Sequence, residues 1–241
     1  GFYIAIRRLL GSVAEQYFYL NNISSNKKKK KKQLPDLHKL LLEACQMLDV
    51  EAPQLYIQQN PTPNAYTFAM RGKQPFMVLH TSLIEMLTPE EIQAVIAHEL
   101  GHLKCEHGVY LTLANIMVLA AGLLPTWGTM LARSLQTRML EWLRCAEFSC
   151  DRAALIAVRD PEVVMSTLMK LAGGSPKLSP QLNLEAFIEQ AQAYDVASDT
   201  EWGEALKGTQ TAQLTHPLPV LRAREIDRWA NSQEYNLLLK K

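Results

Sequence analysis

The chain has 241 residues, 48% of them hydrophobic and 20% charged, and its formal net charge is +1. That length gives one sizeable domain ample material for a core. The near-neutral balance, and a run of lysines with no aromatic residue interleaved, do not suggest nucleic acid as a partner.

In chain order, residues 2–20 place Ile4, Leu9, Leu10, Val13, Ala14, Phe18 and Leu20 at the spacing of an amphipathic helix. The start on Gly1, with no secretory n-region and h-region pattern, reads as processed or trimmed. Lys27 to Lys32 are six consecutive lysines between polar flanks, and without them the balance is 1 − 6 = −5. The run reads as a solvated, mobile loop, with enough charge to touch anionic lipid at about 1 kcal/mol per lysine. Residues 1–33 therefore stand apart from a single domain over 34–241. That domain opens with a second amphipathic helix at 34–49. Three short strands follow, at Leu55–Ile57, Ala65–Met70 and Phe76–His80, the last two joined by a turn over Arg71–Gln74.

Thr88-Pro89-Glu90-Glu91 has the form of a capping-box helix start with proline at the first helical position. Ile92, Val95, Ile96, Leu100 and Leu103 then recur at helical spacing. This helix carries His98-Glu99-Leu100-Gly101-His102, an H-E-x-x-H. Residues four apart share a helix face, so His98 and His102 can offer imidazole nitrogens to one zinc ion, while Glu99 serves as general base for the attacking water. Cys105 lies a turn beyond the histidines, and His107 is expected on the opposite side of the helix.

An open catalytic zinc needs a third protein ligand, and Glu147 is the candidate. Asp151, four residues on, is placed to accept the free ring N–H of a ligand histidine, His98. Between the two helices, residues 108–132 carry no charge, which raises the question of a membrane span. A single crossing would leave His102 and Glu147 on opposite sides of a hydrocarbon layer of roughly 30 Å. A hairpin with its tip at Gly122–Gly128 avoids this. Pro125 is 23 residues after His102 and 22 before Glu147. Two helical arms of about 33 Å would return Glu147 to the histidines. The tip either dips into one leaflet, docks on a membrane partner, or is buried in the protein's own core.

The remaining sequence reads as helices at 161–172, 184–194 and 217–233. The cysteines Cys45, Cys105, Cys145 and Cys150 have no C-x-x-C or disulfide-framework spacing, so reduced cysteine is the expectation. No G-x-x-x-x-G-K loop is present, so the chain supplies no ATP-driven unfolding.

These strings resemble the HtpX/Oma-like zinc metallopeptidases, metallopeptidase family forty-eight, within the gluzincins. The resemblance covers nearly all of residues 35–233. It is carried by Asn64-Ala65-Tyr66, Thr81-Ser82-Leu83, the H-E-x-x-H, Glu147 with Asp151, and His216-Pro217 followed by Arg222. The longer strings Ala97–Val109, Leu168–Gly174 and His216–Asp227 look most like the plastid and cyanobacterial branch. The resemblance implies a zincin-like α+β fold, mainly helical, with a small antiparallel sheet over the H-E-x-x-H helix and a long helical hairpin. It also implies one zinc per chain and a plastid, membrane-associated location. Asn64 and Ala65 match an edge-strand motif that pairs with extended substrate, His216 matches an oxyanion-stabilising histidine, and Arg222 would orient that segment or the substrate. Cys150 departs from the alanine that many relatives carry, and a thiol that small leaves room for the Glu147 and Asp151 geometry.

The expected function is zinc-dependent, ATP-independent endopeptidase action on extended or unfolded polypeptides. The alternative is a catalytically silent subunit of the same fold, a scaffold or assembly factor in a membrane complex. Peptide deformylase is set aside, because the strand that supplies its cysteine ligand is absent.

Overall fold

The computed structural model describes residues 27–28, 34–69, 74–125, 127–200, 214 and 216–240. The helix expected at 2–20 and the lysines after Lys28 lie outside them, as does most of the turn at 71–74. Among the described residues the helices are α1 (Pro35–Leu48), α2 (Thr81–Met86), α3 (Pro89–Lys104), α4 (His107–Gly122), α5 (Gly128–Val158), α6 (Pro161–Gly173), α7 (Leu184–Ser198), α8 (Pro219–Ala230) and α9 (Gln233–Leu238). The strands are β1 (Lys27–Lys28), β2 (Gln54–Gln58), β3 (Ala65–Phe68) and β4 (Phe76–His80). The long helix expected over 217–233 is instead two, because the Ser232 hydroxyl caps a new start by accepting from Tyr235 N–H.

The mainly helical α+β class holds, with one correction: the sheet is mixed, not antiparallel. Its order is β1-β2-β4-β3. β3 runs antiparallel to β4 and β1 antiparallel to β2, but β2 and β4 are parallel. The chain leaves β2, crosses to the outer position as β3, and returns as β4 in the gap, which forces β4 to run with β2. Lys27 and Lys28 pair with Ile57 and Tyr56, where a free loop was expected.

Period-two alternation sorts the strand side chains. Leu55, Ile57, Met77 and Leu79 join the main core against the helices, whereas Tyr56, Phe76 and Val78 pack on the other face with Tyr66 and Phe68. The middle of that core is α3, whose Ile96, Ala97 and Leu100 are completely buried. The Ile96 and Leu100 side chains each contribute roughly 1.5–3 kcal/mol by that burial. The start of α3 is fastened twice. Thr88 and Glu91 form the capping box, and the buried Glu91 carboxylate also accepts from Ser166 Oγ at 2.7 Å and Lys170 Nζ at 2.8 Å on α6. The helix bearing the H-E-x-x-H thus has little freedom to move.

α4 and α5 form the expected hairpin. At its turn Gly128 is required, since a Cβ there would lie 2.5 Å from the Ala121 carbonyl oxygen. The tip is not buried in the core: Leu123 is 87% exposed, Met130 77% and Trp127 59%. Among the described residues no helix is long and apolar enough to cross a membrane.

Candidate active site and metal centre

A cleft of about 300 Å³ opens beneath β3, with α3, α5, α6 and α8 forming its walls. α3 presents His98 and His102 one turn apart, their ring centroids separated by 5.1 Å. α5 presents Glu147 on the facing side. Its Oε2 lies 3.5 Å from His98 Nε2 and its Oε1 lies 3.3 Å from His102 Nε2. Two atoms bound to a tetrahedral zinc at about 2.0–2.1 Å are separated by roughly 3.4 Å. The two nitrogen-to-carboxylate separations, each to a different Glu147 oxygen, are of that size. With the imidazoles neutral, as ligation would require, and the carboxylates ionised, Glu99, Glu147 and Asp151 against Arg222 would give 1 − 3 = −2.

Gly101 sets the approach of the two helices, because a Cβ there would meet Cys150 Cα, Cys150 Sγ and Ala153 Cβ, each at 3.2 Å. His98, His102 and Cys150 also offer potential ligand atoms within 4.8 Å of one another. Glu147 is the other candidate for the third position. Its oxygens face both Nε2 atoms, whereas the Cys150 thiol is buried, lies 3.6 Å from His107 Nδ1, and is pushed far up by burial and then by the Glu147 and Asp151 charges.

Behind the histidines, His98 Nδ1 meets Asp151 Oδ1 at 3.0 Å. Arg222 clasps the same carboxylate with a fork, Nε to Oδ2 at 2.8 Å and Nη2 to Oδ1 at 2.6 Å, and its Nη1 lies 3.6 Å from Glu147 Oε2. Burial works to raise Asp151, but the guanidinium and the His98 bond outweigh it and hold the carboxyl low. Burial likewise opposes ionisation of Glu147, and hydrogen bonds from His102, His216 and His98 hold it well below the usual carboxylate range. His98 follows the same balance in reverse: burial lowers it, yet Asp151 and Glu147 lift it to about 9.

Glu99 is different. Burial raises its carboxyl above the ordinary range, only partly offset by His98, His102 and Thr67. Its Oε2 accepts from Thr67 Oγ1 at 3.1 Å. His216, largely exposed, leans over the cleft with Nδ1 3.0 Å from Glu147 Oε2. That bond is the main cause raising its pKa. Asn64 and Ala65 line the cleft where β3 begins, Asn64 accepting from His80 N–H at 3.0 Å. β3 is an edge strand of the sheet.

Two neighbours of the site escaped the sequence reading. Thr67 alternates with Tyr66 and Phe68, and period-two patterning of β3 was the signal that places it on the α3 side. His107 was expected to point away and does not: its Nδ1 lies 3.0 Å from His102 Nδ1. The expectation treated the helix as continuous. In fact α3 ends at Lys104, and Glu106 adopts a left-handed conformation with φ 52°, which folds His107 back toward His102.

The sequence profile described as Peptidase family M48 matches residues 31–230. The chain is 58% identical over 235 residues to "Plastoglobule-localized metallopeptidase 48, chloroplastic" of Arabidopsis thaliana, an alignment covering 98% of this chain and 68% of that protein. It is 27% identical over 189 residues to "Protease HtpX homolog 2" of Methanosarcina mazei, covering 67% of this chain and 64% of that one. Among solved structures it is similar to Ste24p of S. mikatae, with TM-score 0.57 at 14% identity over 94% of this chain and 57% of that chain, a likeness of fold.

Proposed function

The chain belongs to peptidase family M48, and from that membership together with its cleft we propose that it is a zinc-dependent, ATP-independent endopeptidase acting on extended or unfolded polypeptides. The observation that carries the reading is the spacing of the Glu147 oxygens from the two Nε2 atoms, 3.3 and 3.5 Å. His98, His102 and Glu147 would hold the ion. Zinc so held supplies Lewis acidity that polarises a carbonyl and lowers the pKa of water.

The chain's own residues supply the rest. Glu99, with its carboxyl raised by burial, takes a proton from the attacking water and delivers it to the leaving amine. Thr67 keeps that carboxylate aimed into the cleft. The outer edge of β3, starting at Asn64 and Ala65, pairs with an extended substrate backbone, which is why the substrate must be unfolded locally. His216, at the mouth, donates to the developing oxyanion. Asp151 fixes His98, and Arg222 keeps Asp151 ionised beside the cleft.

For location, the Arabidopsis relative's name supports the plastid. The hairpin tip supports contact with a membrane surface or a membrane partner. Its uncharged surface includes Leu119, Leu123, Trp127 and Met130, all more than half exposed. From Gly128 to Arg133 α5 rises only about 8 Å before its first charge, which suits entry into one leaflet and no deeper.

The test is metal analysis with proteolysis. The purified chain should hold one zinc and cleave unfolded casein, lose both on chelation, and regain both on adding zinc. His98→Ala and Glu147→Ala should lose the ion. A chain that binds no zinc, or loses none on Glu147→Ala, contradicts the ligand assignment. Full zinc without cleavage of any unfolded polypeptide would favour a silent scaffold.

A further inference from the structure

We propose that His107 is a positioning residue for the metal: its Nδ1 lone pair receives the His102 Nδ1–H and so holds His102 with Nε2 turned toward the ion. The inference rests on the zinc reading above and concerns a side chain that this reading leaves unused.

Two Nδ1 atoms 3.0 Å apart can bond only if one carries a proton and the other a lone pair. His102 decides which. Its Nε2 faces Glu147 Oε1 at 3.3 Å, and once an ion displaces the proton from that contact the ligand lone pair is on Nε2 and the proton on Nδ1. His107 Nδ1 is then the acceptor, and its own proton is on Nε2.

The acceptor is held in place from several sides. The His107 ring stands edge-on to Trp142, with centroids 5.4 Å apart at 88°, and Trp142 in turn touches Tyr110. Cys150 Sγ lies 3.6 Å from the same Nδ1. The left-handed turn at Glu106 brings the ring back to His102, at the expense of a backbone conformation that a residue with a Cβ rarely adopts.

The two ligand histidines therefore have unlike partners. His98 bonds a carboxylate that Arg222 neutralises, whereas His102 bonds a neutral imidazole. A carboxylate at His107 would take the site from −2 to −3, beyond what one dication balances. A neutral acceptor fixes the tautomer of His102 without adding charge.

The experiment measures zinc affinity of the whole chain by competition with a chromophoric chelator, alongside the melting temperature of each metal-free protein. His107→Phe keeps a ring against Trp142 but has no acceptor. His107→Asn places an amide oxygen close to the Nδ1 position. Loss of such an outer partner weakens metal binding about 10–100-fold, so the phenylalanine variant should show that loss while the asparagine variant stays within about threefold of wild type. Wild-type affinity in His107→Phe, or equal losses in both variants, overturns the proposal. Should the phenylalanine variant fail to fold, nitrogen NMR of the zinc-loaded wild type decides: a proton on His102 Nδ1 and none on His107 Nδ1 supports it, and the reverse overturns it. A wild-type chain that bound no zinc at all would instead overturn the ligand assignment itself.

Discussion

Replacing Arg222 by methionine tests how the site tolerates its own charge. Arg222 makes two short bonds to Asp151, at 2.6 and 2.8 Å, and stands 3.6 Å from Glu147. Asp151 is 2% exposed and Glu147 4%, so neither carboxylate can recover the lost cation from water. Removing one partner from a buried ion pair costs about 3–5 kcal/mol, and here the lower end applies, because the His98 imidazole still faces both carboxylates at 3.0 and 3.5 Å. Against a total stability of some 5–15 kcal/mol, the metal-free variant should be only weakly folded. Urea unfolding monitored by circular dichroism reads this directly. Zinc should recover part of the loss, since a dication beside Glu147 replaces some of the missing positive field. The double variant Arg222→Met with Asp151→Asn should be more stable than the sum of the singles by about 0.5–3 kcal/mol, because the unpaired charge is gone. A loss below about 1 kcal/mol in the metal-free single variant would refute the reasoning, since that is the range of an exposed pair.

Three further outcomes follow from the same geometry. Gly101→Ala gains about 1 kcal/mol of helix propensity but loses about 1–3 kcal/mol to overpacking against Cys150 and Ala153, so it should lower both melting temperature and zinc affinity; a stabilised variant with unchanged affinity would contradict the close approach of α3 and α5. Thr67→Val should keep zinc and fold yet lower kcat/KM roughly tenfold by freeing the Glu99 carboxylate; unchanged turnover would show that the bond does not aim Glu99. Leu123→Asp with Leu124→Asp should abolish recovery on lipid vesicles while zinc content and melting temperature hold, because Leu123 is 87% exposed; unfolding would mean that the tip belongs to the core.

The parts of the site that were legible in the sequence are those set by local spacing. The capping box at Thr88 and Glu91, the i,i+4 pairs His98/His102 and Glu147/Asp151, and the glycine and proline at the hairpin turn each follow from helix geometry, and each lies where spacing put it. Equal hairpin arms brought Glu147 to the histidines even though the first arm is broken at Glu106. That break is itself why His107 was misread: neither glycine nor proline marks it, and a left-handed glutamate leaves no pattern in the sequence. The β2–β4 direction was hidden for another reason. Strand direction depends on which strand fills the gap, and alternation along β2 and β4 is the same for either choice. The Arg222 fork on Asp151 spans 71 residues, a pairing that periodicity cannot reveal.

The central claim is that Glu99 performs proton transfer beside a zinc it does not bind. Its most direct test sets Glu99→Gln beside the wild-type chain, measuring zinc content and cleavage of unfolded casein on the same preparations. The amide cannot take a proton, and His98, His102 and Glu147 are untouched, so one zinc should remain while turnover falls by about 10²–10⁴-fold or more. Wild-type-like turnover in Glu99→Gln, with zinc fully bound, would contradict the account.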